Sequence, residues 1–189
     1  MELVRGIIEA NVDKHINHDY YLIALEKAEQ NLKLHPDICI EACKSLIEGI
    51  CKAILKSIDN GLDERAIEGM TAKRLAERAM TDLSAFDESI EVNFITNFSN
   101  LMQDLASIRN KRGDVSHGHV SPKLVKSTPE FAEYIYRLTE HTVHYMLRVF
   151  YAIDFGSIAY GDNPDFNAML DEEVQLDGKV LWSQALGHL

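Results

Sequence analysis

Residues 36–59 read PDICIEACKSLIEGICKAILKSID, and this stretch decides the predicted fold. Apolar side chains recur every three or four positions from Ile38 to Ile54, which is the spacing that lines one face of an α-helix. Pro36 and Asp37 suit a first helical turn, and Asn60-Gly61 suits the turn that ends a helix. Four further residues widen the apolar face: Cys39, Cys43, Ile47 and Cys51. We therefore predict one helix over this stretch, with a broad buried face.

The rest of the first 152 residues follows the same helical periodicity, and the alternation typical of β-strands is nearly absent. Thr128-Pro129-Glu130 is a strong helix start, with a hydroxyl cap, a proline in the first turn and an early acid. Thr71 can cap another helix. Besides a first short helix at Leu3, Ile7 and Ile8, the predicted helices are 20–34, 71–79, 88–108 and 129–151. The apolar stripe of the 88–108 helix comprises Ile90, Phe94, Phe98, Leu101, Leu105 and Ile108.

The predicted fold class is all-α, a bundle of four or five main helices followed by an acidic tail. A chain of 189 residues fits one domain with a tail. We place the helical domain at residues 1–152 and the tail at 153–189, where seven acids and one base give a local charge of −6. We expect the tail to have only short local structure.

Composition indicates a protein of a reducing compartment. No secretory signal is evident near the N-terminus and no apolar run reaches the length of a membrane span, so we expect a cytoplasmic protein without membrane contact. The three cysteines suit helix packing better than disulfides or zinc. Two histidine pairs, His15/His18 and His141/His144, lack a nearby third ligand, so we predict no metal site.

Residues 108–119, IRNKRGDVSHGH, form the most informative segment for function and are called here the signature segment. The formal net charge of the protein is −11, which argues against nonspecific binding of nucleic acid by the chain as a whole. Residues 103–126 nevertheless carry a net charge of +3. The signature segment is therefore a local positive site where an active site is expected.

The signature segment can be assigned roles in RNA cleavage from its chemistry alone. A neutral imidazole such as His117 can take a proton near neutral pH, since its ordinary pKa is about 6.5. The guanidinium groups of Arg109 and Arg112 can each hold two phosphate oxygens and stabilise developing charge. Asn110 can hold a phosphate oxygen or fix the loop. Because RNA carries its own 2′-hydroxyl nucleophile, this set needs no metal or other cofactor, and it cannot cut DNA in the same way.

The arrangement Arg109-Asn110-Lys111-x-Gly113-Asp114, followed by His117-Gly118, resembles the RNKxGDxHG signature of the abortive-infection C-terminal family, within the HEPN superfamily. The apolar helix before it and the helix from Pro36 are also similar, so the resemblance covers roughly residues 36–150. It implies a HEPN-like helical domain that acts as a metal-independent ribonuclease, often a toxin in phage defence. It also implies a homodimer in which two motifs line one cleft.

The spacing in this chain leaves the pairing of arginine and histidine open. Superfamily motifs place the arginine about four to six residues before the histidine, whereas seven residues separate Arg109 from His117 and four separate Arg112 from His117. The family signature has one residue where this chain has Val115-Ser116. The predicted catalytic residues are therefore Arg109, Asn110, Arg112 and His117, and the predicted substrate-binding residues are Lys111, Asp114 and His119.

Each of these residues also has a structural interpretation. Arg109 could complement the dipole of its helix, Asn110 could end that helix, and Asp114 could brace the loop. The leading hypothesis is a metal-independent endoribonuclease of phage defence or of a toxin–antitoxin pair, with RNA as substrate, a homodimer as active form and an antitoxin or other defence protein as possible partner. The alternative is a noncatalytic HEPN-like module that binds nucleotide, RNA or a partner protein.

Overall fold

Seven helices make up the regular structure of the residues that the computed structural model describes, which are 1–12, 19–59, 61–112 and 125–153. No strand occurs in these ranges. Five of the helices have 13 residues or more, which confirms the predicted all-α bundle. The helices are α1 Glu2–Glu9, α2 Asp19–Asn31, α3 Pro36–Ile58, α4 Glu64–Glu68, α5 Ala72–Ser84, α6 Val92–Arg112 and α7 Pro129–Ala152.

Helix α3 is the centre of the bundle, because α2, α4, α5, α6 and α7 all pack against it. Its predicted bounds are correct to within one residue. Leu46, Ile50 and Cys51 along it are fully buried, as a helix surrounded by neighbours requires. The three cysteines all lie buried in α3 as free thiols, which confirms their predicted packing role. Burial raises the pKa of the Cys51 thiol and so keeps it in the unreactive neutral form.

The helix starts follow the local signals in the sequence. The Thr71 hydroxyl accepts a hydrogen bond from the Arg74 amide at 3.3 Å, and the Thr128 hydroxyl accepts one from the Phe131 amide at 3.2 Å. Both threonines therefore cap their helices as predicted. Helix α5 continues to Ser84, five residues beyond its predicted end. Helix α4 was not predicted, because its five residues are too few to show an apolar period.

Helix α6 departs from the prediction at both ends and in its buried face. Asp87 forms a turn before the helix. Its carboxylate accepts a hydrogen bond from the Ser89 amide at 3.0 Å and another from the Tyr145 hydroxyl at 2.7 Å. This turn delays the start of the helix to Val92, and the helix continues to Arg112 rather than ending at Ile108. The contacts of Asp87 also explain why the pKa of its carboxyl lies below the ordinary value: the hydrogen bond from Tyr145 is the largest cause.

The predicted apolar stripe of α6 is displaced on the helix surface, since Leu101 is only half-buried while the next residue, Met102, is fully buried. Phe94 is 50% exposed, whereas Ile95 is buried. Packing against α5 and α3 selects a face that runs through Ile95, Phe98, Met102 and Leu105. The observed face keeps helical spacing, so the predicted helical period is correct. The predicted rotation of the helix about its axis is wrong, because the helices that determine this rotation are distant in the sequence.

Residues 1–152 form one compact unit. Apart from Ile153, the predicted tail lies outside the described residues, so the division into a helical domain and an acidic tail stays a prediction. None of the described helices combines the length and the apolar composition needed to cross a bilayer.

Candidate functional site

Two of the predicted site residues, Arg109 and Asn110, are described together with their side chains, and both lie in the last turn of α6. The backbone of Lys111 and Arg112 completes that turn, but their side chains lie outside the described part of the chain. The remaining predicted site residues, Asp114, His117 and His119, also lie outside it. The start of the signature segment is therefore helical through Arg112.

The guanidinium of Arg109 is held by two neighbours. Its Nη1 donates a hydrogen bond to Oδ1 of Asn110 at 3.2 Å, and its Nε lies 3.5 Å from Oε1 of Glu41 on α3. The Arg109 side chain is 30% exposed and that of Glu41 is 14% exposed. A partly exposed ion pair of this kind contributes at most about 1 kcal/mol to stability. Its main effect is therefore to orient the guanidinium.

A second acid of α3 holds the chain on the other side of the signature segment. Oδ1 of Asp37 accepts a hydrogen bond from the Ser127 amide at 3.2 Å, and both residues are buried. Ser127 directly precedes Thr128, the cap of α7. Because Asp37 and Glu41 are four residues apart, they lie on the same side of α3. The first two turns of α3 thus hold both Arg109 and the chain that enters α7.

The electrostatics of this end of α6 favour side-chain cations. The carbonyl end of a helix carries a partial negative charge and would by itself repel a phosphate. Arg109 offsets that charge, and it also presents the planar donor group that binds phosphate oxygens in pairs. The structural and the functional interpretation of Arg109 are therefore compatible with one another.

Asp37 and Glu41 were not among the predicted site residues. Asp37 was interpreted only as part of a helix start, and Glu41 was not singled out. A usable signal was present, since both are acids within a helix whose other positions are mostly apolar. Buried or half-buried carboxylates require a partner, and such residues can be sought before the structure is known.

We expect Asp37→Ala to lower the free energy of unfolding by about 1–3 kcal/mol, because it leaves the buried Ser127 amide without this acceptor. The matched variant Asp37→Asn keeps an oxygen at this position and should cost clearly less. Equilibrium unfolding in urea measures both values. Equal losses in the two variants would contradict an important role for this hydrogen bond.

Within the described ranges, no three His, Cys, Asp or Glu side chains come together in a way that could hold a metal ion. His141 and His144 lie on α7, whereas His15 and His18 lie outside the described residues.

Comparison with known proteins identifies the family of the chain. No curated protein and no solved structure matches it. The model of the Abi_C family, described as a HEPN-like domain, matches residues 19–150. The match includes α2 to α6, the signature segment and most of α7. The chain therefore belongs to the Abi_C family of HEPN-like domains.

Proposed function

We propose that the protein is a metal-independent endoribonuclease that cuts RNA by attack of the ribose 2′-hydroxyl on the neighbouring phosphate. The observation that carries the proposal is the positioned guanidinium of Arg109, which Asn110 and Glu41 hold at the end of α6. It lies directly before the glycine- and histidine-containing part of the signature segment in a HEPN-like domain.

The proposed reaction uses side chains alone. His117 takes the proton of the 2′-hydroxyl, and the resulting oxygen attacks phosphorus. The bond from phosphorus to the 5′-oxygen breaks, and that oxygen receives a proton from another side chain, which acts as the general acid. The products are a 2′,3′-cyclic phosphate and a 5′-hydroxyl. Arg109 and Arg112 stabilise the charge on the non-bridging oxygens, while Asn110 positions the phosphate.

The remaining charged residues of the signature segment act on binding in this proposal. Lys111 and His119 contact the RNA backbone or the bases, and Asp114 contacts substrate or braces the loop. A homodimer would supply this general acid, because two-fold symmetry can bring two copies of His117 to one cleft. The biological setting that the family name suggests is abortive infection, with an antitoxin or another defence protein as partner.

The test is incubation of the full chain with a short RNA in EDTA, beside DNA and fully 2′-O-methylated RNA of the same sequence. We expect cleavage of the RNA alone and a cyclic phosphate at the new 3′ end. His117→Ala should lower the rate by roughly 100- to 10,000-fold. His141→Ala, which changes an exposed histidine on α7, is the matched control. Absence of cleavage, or cleavage that survives His117→Ala, would refute the mechanism.

A second candidate function is a noncatalytic module that binds nucleotide, RNA or a partner protein. The ion pair between Arg109 and Glu41 favours it, because a carboxylate beside the guanidinium competes with a phosphate for the same group. Tight binding of RNA without turnover in the same experiment would support this function over the endoribonuclease.

A further inference from the structure

A groove of about 330 Å³ lies between α2 and α3, and we call it the α2–α3 groove. Tyr20, Tyr21 and Lys27 line it from α2, and Glu41, Ser45 and Gly49 line it from α3. Binding sites for small molecules commonly have volumes of about 300–1000 Å³, so the groove has room for one small ring system.

The groove borders the candidate active site through a shared residue. Glu41 lines the groove, and its Oε1 lies 3.5 Å from Nε of Arg109. In a nucleotide the phosphate and the base are joined by a single ribose. A strand whose phosphate is held by Arg109 can therefore present a neighbouring base to this groove.

The aromatic side of the groove combines a fixed ring with an exposed ring. The Tyr21 hydroxyl donates a hydrogen bond to the Gly49 carbonyl at 2.8 Å, and burial raises the pKa of Tyr21 to about 12. A Cβ at Gly49 would overlap the Tyr21 ring, so glycine is required for this close packing. Tyr20 packs edge-to-face on Tyr21 with ring centroids 5.9 Å apart, yet it is 75% exposed. Tyr20 therefore offers an aromatic surface supported from one side.

The charges of the groove suit a neutral base better than a phosphate. Lys27 and Glu41 carry opposite charges, so the lining has no strong attraction for an anion. A base would stack on Tyr20, since stacking on aromatic side chains is how proteins bind single-stranded RNA with little sequence preference. The Ser45 hydroxyl and the Glu41 carboxylate are polar groups of the kind that hydrogen-bond to base edges.

We propose that the α2–α3 groove binds a nucleobase of the RNA strand whose phosphate contacts Arg109, with Tyr20 as the stacking residue. This inference rests on the proposed function for the identity of the substrate, but not on catalysis. It makes α2 a substrate-binding element beyond the signature segment.

The test measures binding of a fluorescein-labelled, fully 2′-O-methylated RNA oligonucleotide, which cannot be cleaved by 2′-hydroxyl attack. Fluorescence anisotropy gives the Kd for the full chain, Tyr20→Ala, Tyr20→Phe and the control Tyr134→Ala. Tyr134 is also exposed, at 61%, but does not line the groove. We expect the Kd to rise roughly tenfold in Tyr20→Ala and to change little in the other two variants. The salt dependence should stay unchanged, because stacking releases no counterions.

Several outcomes would overturn the inference: no binding by the unchanged protein, an unchanged Kd in Tyr20→Ala, or an equal loss in Tyr134→Ala. A change of oligomeric state in Tyr20→Ala, measured by size-exclusion chromatography, would instead assign this face to contact between copies. The proposed function fails separately. Weaker binding by Tyr20→Ala without any RNA cleavage by the unchanged protein would retain the groove and reject the nuclease. Cleavage that depends on His117, with an unchanged Kd in Tyr20→Ala, would support the nuclease and reject base binding in the α2–α3 groove.

Discussion

Arg109→Ala is expected to slow RNA cleavage by roughly 100- to 1000-fold, which is the usual effect of removing one positioned donor from a developing oxyanion. The guanidinium is oriented by Asn110 and Glu41, so another flexible cation nearby is not equivalent to it. Arg109→Lys should restore only a small part of the rate, because an ammonium cannot form the paired hydrogen bonds. Single-turnover rate constants in EDTA measure the effect without interference from product release.

The matched variants decide which arginine acts on the phosphate. Arg112→Ala removes the other candidate arginine, which only four residues separate from His117. Arg78→Ala is the control, because it removes a half-exposed arginine of α5 that pairs with Asp59 and Asp82. We expect Arg78→Ala to cleave normally. A large loss confined to Arg112→Ala would show that Arg109 serves the helix end and not the reaction.

A stability measurement separates the catalytic role of Arg109 from its structural role. The ion pair with Glu41 is partly exposed and contributes at most about 1 kcal/mol. Arg109→Ala should therefore unfold at nearly the same urea concentration as the unchanged protein. If its activity and its stability fall together, the arginine acts mainly as a packing and pairing residue.

The helices whose bounds were predicted well have start signals that lie within a few neighbouring residues of the sequence. Helix α3 has a proline in its first turn and a long apolar period, and Thr128 caps α7 directly. The rotation of α6 could not be read in the same way. Phe94 and Ile95 are adjacent apolar residues, and only packing against α5 and α3 decides which of them is buried.

The residues of the candidate site differ in the same way: some have local signals in the sequence, and others are brought together only by packing. The signature segment is contiguous, so its residue types and its resemblance to a family are enough to predict Arg109 and Asn110 as candidate site residues. Glu41 contacts Arg109 of that segment from another helix, and Asp37 of the same helix contacts Ser127, which lies beyond the segment. Ser127 lies 90 residues from Asp37, and no local pattern links the two. Contacts of this kind depend on the packing of α3 in the bundle, which a local reading of sequence patterns does not reveal.

Leu46→Ala is expected to lower the free energy of unfolding by about 2–5 kcal/mol, the cost of removing a buried leucine side chain and leaving a cavity. Leu46 is fully buried in the helix that contacts all four other long helices. Leu34→Ala is the matched control, because Leu34 is 78% exposed, and it should change stability by less than about 0.5 kcal/mol. Urea unfolding followed by circular dichroism compares the two variants, and similar losses would contradict the central position of α3.

The activity of Leu46→Ala should follow its folded fraction. Domains of this size are commonly stable by about 5–15 kcal/mol, so this one substitution can remove a large share of the margin. Cooling toward about 10–20 °C, where stability is usually greatest, should restore the folded fraction and with it the activity relative to the unchanged protein. Arg109→Ala should show no such recovery, because in the proposed mechanism it removes a group that stabilises charge on the phosphate and leaves the fold intact. Helix α3 carries Leu46 as well as Asp37 and Glu41. In Leu46→Ala, unfolding of α3 therefore also removes the contacts that hold the candidate site. In Arg109→Ala, the candidate site loses a side chain while α3 stays folded.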